Sequence, residues 1–285
     1  RDRAVKAELL AGRRYESELN ARRLVEHERD RAVAAEMQAR AVNQFINDDL
    51  LSQADPERGS DREIKLRTVV DRASEKVAGR FGNQPLVKAA VHNTLARTYQ
   101  GLGEYREAER HGMRAWEIRR EALGEKDPET LNAMNNLARS YEAQGRYDKA
   151  EPLYETTVEL CLATQGPEHP DTLTSMNNLA MLRCAQGRYK DAEPLLLKIL
   201  EIQRRRARGE GHPATLTAMH NLALLYQAQT RYDAAQPLCE DVFETIRRLK
   251  GDEDPRTLTA MDNLAGLYRK QDRLQDAEPL YMKAL

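Results

Sequence analysis

The sequence predicts an all-α solenoid of stacked helix-turn-helix units, and three observations point to it. The phrase Met-Asn-Asn-Leu-Ala at 134–138 returns at 176–180, then as Met-His-Asn-Leu-Ala at 219–223 and Met-Asp-Asn-Leu-Ala at 261–265. The prolines that open each unit, Pro128, Pro170, Pro213 and Pro255, lie 42, 43 and 42 residues apart. Within each unit, apolar residues recur at helical spacing on either side of a turn. A repeat of this length is one supersecondary unit that cannot bury its apolar face alone, so it must stack on its neighbours.

Residues 1–52 contain no proline, carry mixed charge and place apolar residues at Val5, Leu9, Leu19, Val33, Met37, Val42, Phe45 and Leu50, which predicts one long charged helix. Its heptad is irregular, so two readings stand side by side: pairing with a second chain as a coiled coil, and packing on its own solenoid. Residues 53–85 are a linker and half a repeat, with a lone capping helix over 61–81 whose apolar positions include Ile64, Val69, Val70, Ala73, Val77 and Phe81. The array proper is expected over 86–285, in units 86–127, 128–169, 170–212, 213–254 and an incomplete 255–285. The first of these is degenerate, with His92 in the methionine register.

The unit 128–169 shows the grammar. Asp127 is the expected N-cap and Pro128 a favourable first helical residue, because its missing N–H would be unbonded there in any case. Leu131, Met134, Leu137, Ala138 and Tyr141 then form one apolar face. Gly145 and Arg146 break the pattern before a second helix with Tyr147, Ala150, Leu153, Tyr154 and Val158. Pro152 is expected within the tolerant first turn. Alanines at 138, 180, 223 and 265, and at 150, 192, 235 and 277, mark places where helices approach closely.

The chain has 285 residues, 32% of them charged, and a net charge of -1, which removes the electrostatic footprint of a nucleic-acid binder. No stretch reaches the roughly 20 apolar residues of a membrane span, so no direct membrane insertion is expected of this segment. Cys161, Cys184 and Cys239 form no Cys-x-x-Cys pair and read as free thiols. There is no glycine-rich phosphate loop, no Gly-x-Ser-x-Gly elbow and no metal-ligand spacing; the expectation is a non-catalytic chain with no metal and no cofactor. His169 and His212 precede repeat prolines and are expected to serve as loop or cap residues. The start at Arg1 and the break inside a repeat at Leu285 lead us to expect a longer parent, and an uncovered apolar face at Tyr281, Ala284 and Leu285.

The unit with Leu-Ala-x-x-Tyr, Gly-x-Tyr, Ala and Pro resembles the tetratricopeptide repeat (TPR). Its longer phrases, Asn-Asn-Leu-Ala, Gly-Arg-Tyr-x-x-Ala-Glu-Pro-Leu and Gly-Pro-Glu-His-Pro-Asp-Thr-Leu, more specifically resemble the repeats of kinesin light chains and their bacterial relatives. That resemblance implies a right-handed superhelix and a protein-protein interaction scaffold. It also implies that an extended peptide lies in the concave groove lined by each unit's first helix. Departures are Arg183 for the first-helix tyrosine, Thr230 and Asp272 for the turn glycine, and Leu274 for the second tyrosine. Ala41 to Pro56, with the helix that follows, resembles the segment between membrane span and repeats in planctomycete-type bacterial serine/threonine kinases. It implies a second reading, the regulatory or oligomerising region of a membrane-anchored kinase whose catalytic domain lies upstream. The setting would then be cytoplasmic, or tied to a membrane through that upstream segment.

Polar residues on the first helices form columns, since positions three and four apart share a face. Asn93, Asn135, Asn177, His220 and Asp262 make one column, flanked by Asn132 and Thr174. Asn136, Asn178, Asn221 and Asn263 make a second, and Arg97 and Arg139 add charge at the N-terminal end. An amide side chain carries both donor and acceptor, which matches the backbone of an extended strand. The alternative is that these amides bond neighbouring elements. A chaperone's C-terminal tail is a poor candidate, because the lysine and asparagine of the carboxylate clamp that the family resemblance would require are absent. The expected partner is a protein or extended acidic peptide bound towards the N-terminal half, with a homodimer through 1–52 as the competing interaction.

Overall fold

A computed structural model describes residues 32–46, 66–206 and 211–284, together with scattered positions between 18 and 30. Among the described residues there is no strand, and no helix is long and apolar enough to cross a membrane. The helices are α1 (32–46), α2 (Leu66–Arg80), α3 (Pro85–Gly101), α4 (Tyr105–Leu123), α5 (Pro128–Ala143) and α6 (Tyr147–Gln165). They continue as α7 (Pro170–Ala185), α8 (Tyr189–Arg206), α9 (Pro213–Ala228), α10 (Tyr232–Lys250), α11 (Pro255–Lys270) and α12 (Leu274–Ala284). Contacts divide the chain into residues 1–124 and 125–285.

In the first unit, Val70, Ala73 and Val77 of α2 meet Val91, Leu95 and Tyr99 of α3 in one buried cluster. Phe45 of α1 is fully buried in the same cluster and meets Phe81 edge-on, with ring centroids 6.2 Å apart. The end of α1, including Ala41 and Val42, therefore packs on its own unit, while Val33 and Met37 further up the helix are exposed. The rest of the arm expected over 1–52, apart from the scattered positions, lies outside the described residues, as do 61–65 of the capping helix. Phe81, expected inside that helix, sits just past its end and is still buried.

In the second unit, consecutive helices from α5 to α12 pack on one another, and α5 also touches α7. The starts of the first helices follow from their caps. Asp127 Oδ1 accepts from the Glu129 amide at 2.8 Å, His169 Nδ1 from the Asp171 amide at 3.2 Å and Asp254 Oδ1 from the Arg256 amide at 2.8 Å. His212 makes no such side-chain bond. Between pairs, Thr172 donates to the Gly166 carbonyl at 2.8 Å and Thr257 to the Gly251 carbonyl at 2.7 Å, which joins each new helix to the turn before it.

The prolines of the second helices correct one expectation. Since α6 begins at Tyr147, Pro152 lies beyond the first turn and removes one intrahelical bond, as do Pro194 and Pro237 at the same register. All three are exposed, and so are the residues four positions back, Asp148, Lys190 and Asp233, whose carbonyls water can reach. Solvent on that face makes the loss tolerable.

The turns need a left-handed residue. Gly145 and Gly187 supply it at φ 69° and 74°; Thr230 and Asp272 hold the same place at φ 58° and 62°. Thr230 is the more strained, being β-branched. After each turn an arginine reaches back to the preceding pair: Arg188 Nη1 donates to both Glu151 oxygens at 2.6 and 2.7 Å, Arg231 Nη1 to both of Glu193 at 3.0 and 2.9 Å, and Arg273 Nη1 to Gln236 at 3.0 Å. Arg231 and Arg273 also stack on Tyr226 and Tyr268. Arg183, standing in the tyrosine register, pairs with Glu151 and Glu155 instead. Burial would raise the Glu151 carboxyl, but hydrogen bonds from Gln186, Arg188 and Arg183 hold it below its ordinary range.

Leu137 and Leu179 are 3% and 4% exposed. Either one changed to Ala should cost about 2 to 5 kcal/mol in denaturant melts, and a loss below about 0.5 kcal/mol would contradict their core role. Thr230→Gly should stabilise by about 0.5 to 1 kcal/mol, because relief of the left-handed strain outweighs the added chain entropy; Asp272→Gly should gain less.

Candidate functional site

The structure separates the polar residues of the two columns by role. Asn93 and Arg97 lie on α3 in the first unit; the others lie on α5, α7, α9 and α11 in the second. Asn135 is buried and donates from Nδ2 to Ser175 Oγ at 2.8 Å, so its amide joins α5 to α7. Asn221 Nδ2 donates to Asn177 Oδ1 at 2.7 Å, which links the second column of one repeat to the first column of the repeat before. Asn132, Arg139, Thr174 and Asp262 are exposed; Asn136, Asn178, His220 and Asn263 are half-buried. Thr174, Thr217 and Thr259 direct their hydroxyls into their own helices, bonding the carbonyls of Pro170, Pro213 and Pro255 at 2.9, 3.0 and 2.8 Å.

A cavity of about 610 Å³ opens between α9, α10 and α11. Its apolar wall is Leu216 of α9 with Val242, Ile246 and Leu249 of α10, and its polar edge carries Thr217, His220, Thr259 and Asn263. Lys250 and Arg256 bring positive charge to its rim. Gly211 closes one side at φ 79°, where a Cβ would come within 2.1 Å of Leu249 Cδ1. Burial lowers the His220 imidazole, so it stands in the wall as a neutral donor and acceptor. The cavity can hold an apolar side chain while a flanking backbone meets the Asn263 amide and the His220 imidazole.

Two of the sequence candidates, His220 and Asn263, are in this cavity, which lies C-terminal to the stretch the sequence favoured. Its apolar wall escaped the column argument because Val242, Ile246 and Leu249 belong to a second helix. One signal was present: Leu249 occupies the register held by Thr164 and Arg206 in the two preceding units and is 50% exposed.

Tetratricopeptide repeat models match residues 87–163, 135–205, 171–238 and 215–285. The chain belongs to the tetratricopeptide repeat family. It is similar to the nearly identical TPR-like repeats described as kinesin light chain from Podosopora anserina, at 30% identity and TM-score 0.63, covering 71% of this chain and 95% of that one. It is also similar to BtubC (BKLC) from P. vanneervenii, at 26% identity and TM-score 0.63, over 76% of this chain and 87% of that one. NprR, in complex with its cognate peptide NprX, shares the fold at 14% identity and TM-score 0.53, over 77% of this chain and 60% of that one. No curated protein matches the sequence.

The first TPR unit departs from the others at His92. This ring is buried and its Nδ1 lies 2.7 Å from Nδ1 of His111, which is 1% exposed and stacks on Tyr99. Ser74 Oγ is 2.9 Å and the Arg110 guanidinium 3.2 Å from His111 Nε2. A guanidinium only donates, so His111 Nε2 must accept, His111 Nδ1–H must donate to His92 Nδ1, and His92 carries its proton on Nε2. This arrangement admits only neutral rings. Burial lowers both imidazoles, with His111, Lys88, Arg114 and Arg110 adding to the effect at His92 and Arg110 at His111.

Because both folded-state values are depressed, the unfolded chain binds more protons below the ordinary histidine value of about 6.5. Stability should therefore be full above that pH and fall as pH drops beneath it, with each ring contributing a slope approaching about 1.4 kcal/mol per pH unit. Chemical denaturation between about pH 7.5 and 5 should show this, and His92→Met, which restores the residue of the other four units, should make the dependence shallower.

Proposed function

We propose that the second unit recognises a partner protein by taking an extended, acidic segment along the exposed faces of α5, α7, α9 and α11. The cavity between α9, α10 and α11 carries this reading: it offers an apolar socket beside backbone-matching groups, with Lys250 and Arg256 at its rim. An extended segment presents side chains alternately, so one apolar residue can fill the socket while acidic neighbours meet the rim. Asn132, Arg139, Thr174, Asn177, Asn178, Asp262 and Asn263 are the further contacts we assign to the path. The peptide held by NprR, a protein of the same fold, is in keeping with this mode.

Asn177 and Asn221 serve this reading through their mutual bond, which orients the free Nδ2 of Asn177. Asn135 acts less directly, since its donor is engaged by Ser175. Asn93, Arg97 and Asn136 remain candidates on the same register. The competing reading, a kinase's regulatory region pairing through residues 1–52, draws support from the exposed Val33 and Met37 on α1. The buried Phe45 at the end of that helix favours packing on its own unit.

A peptide array probed with the 285-residue protein should yield sequences pairing a bulky apolar residue with Asp or Glu. For such a peptide, Ile246→Glu with Leu249→Glu should weaken binding by about 10-fold or more, and Lys250→Gln with Arg256→Gln should flatten its salt dependence. Asn177→Ala should cost about 0.5 to 1.5 kcal/mol of affinity by calorimetry. If the cavity variants bind like the parent while deletion of residues 1–52 abolishes binding, the helical arm is the interaction site.

A further inference from the structure

The first unit holds a second cavity, of about 480 Å³, far from any role in the reading above. Lys88 and His92 of α3 face it from one side, and Arg110, Arg114 and Glu117 of α4 from the other, with Ser74 of α2 at its edge. Three cationic side chains thus surround one carboxylate. His92 is 8% exposed and lines the cavity. The tautomer fixed by Arg110 and His111 puts a proton on its Nε2. An N–H donor opening onto a cavity lined by cations can be accepted by an anion.

From this geometry we propose that the cavity binds a phosphate-type dianion, either free phosphate or a phosphate monoester. The excess of positive charge in the lining suits a dianion better than a single carboxylate. Several N–H donors converging from two helices suit a tetrahedral oxyanion. Arg110 pairs with Glu107 at 2.6 Å and Arg114 with Glu117 at 3.2 Å, each pair three residues apart along α4, and Arg110, Arg114 and Glu117 all line the cavity. Such pairs are weak, and each guanidinium keeps further N–H groups for a ligand. Burial is the main cause of the lowered His92 imidazole, and His111 and then Lys88, Arg114 and Arg110 add to it through their charge.

The test is a titration of the 285-residue protein with inorganic phosphate and, separately, with O-phosphoserine, at fixed ionic strength held with chloride. At about pH 7.5 both ligands are largely dianionic. The readout is the imidazole nitrogen resonances of His92 and His111. A saturating shift of the His92 Nε2 signal is expected, weakened about 10-fold or more in the Lys88→Gln, Arg114→Gln double variant. Glu117→Gln should tighten binding, an effect that loss of folding cannot mimic. Phosphoserine binding as tightly as phosphate identifies a monoester site, and phosphate alone a free-anion site; either outcome supports the proposal. Shifts that match chloride, or a double variant and Glu117→Gln that both titrate like the parent, overturn it.

Discussion

Everything in the second unit depends on how closely neighbouring helices can approach. Ala138, Ala180, Ala223 and Ala265 on the first helices, and Ala150, Ala192, Ala235 and Ala277 on the second, are all at most 2% exposed. A methyl group at these places lets backbones come near enough for the large residues beside them to interdigitate, and close packing of that kind tolerates little added volume. Met134, Met176, Met219 and Met261 fill the same spaces repeat after repeat. Because each pair contacts mainly its neighbours, stability accumulates pair by pair rather than around a central core.

The polar chemistry is subordinate to that packing and repeats with it. Arginines after the turns reach back 37 or 38 residues to Glu151, Glu193 and Gln236, so each pair is tied to the one before at the solvent edge. Amide groups do the same between successive first helices, through Asn135 with Ser175 and Asn221 with Asn177. An asparagine column in such a stack therefore serves two ends: part of its hydrogen-bonding capacity orients neighbouring helices, and the remainder is presented outward. Distinct surfaces arise where the repeats differ, because identical units supply a uniform wall and only departures create a socket.

Two departures show this. Leu249, in a register otherwise held by small or polar residues, lengthens the apolar wall of α10 and brings Ile246, Val242 and Leu216 into one cavity. His92 replaces a core methionine and brings with it a partner, His111, whose burial forces a neutral, directional hydrogen bond. In each case a single register change alters the chemistry of a surface while leaving the helix pair intact.

The sequence alone determined the helix pairs, their starts, their alanine contacts and their family, because these depend on local rules that recur every 42 or 43 residues: capping, periodicity and the size of a side chain at a fixed register. It also marked the turn positions where Thr230 and Asp272 stand in for glycine. Tertiary structure decided the rest. Whether Asn135 faces a groove or a neighbouring helix, whether Pro152 falls in the first turn, and whether Phe45 packs on its own unit all depend on which atoms meet across helices. The cavity beside Leu249 and the ring contact of His92 with His111 join residues on different helices, and no periodicity within one helix encodes those distances.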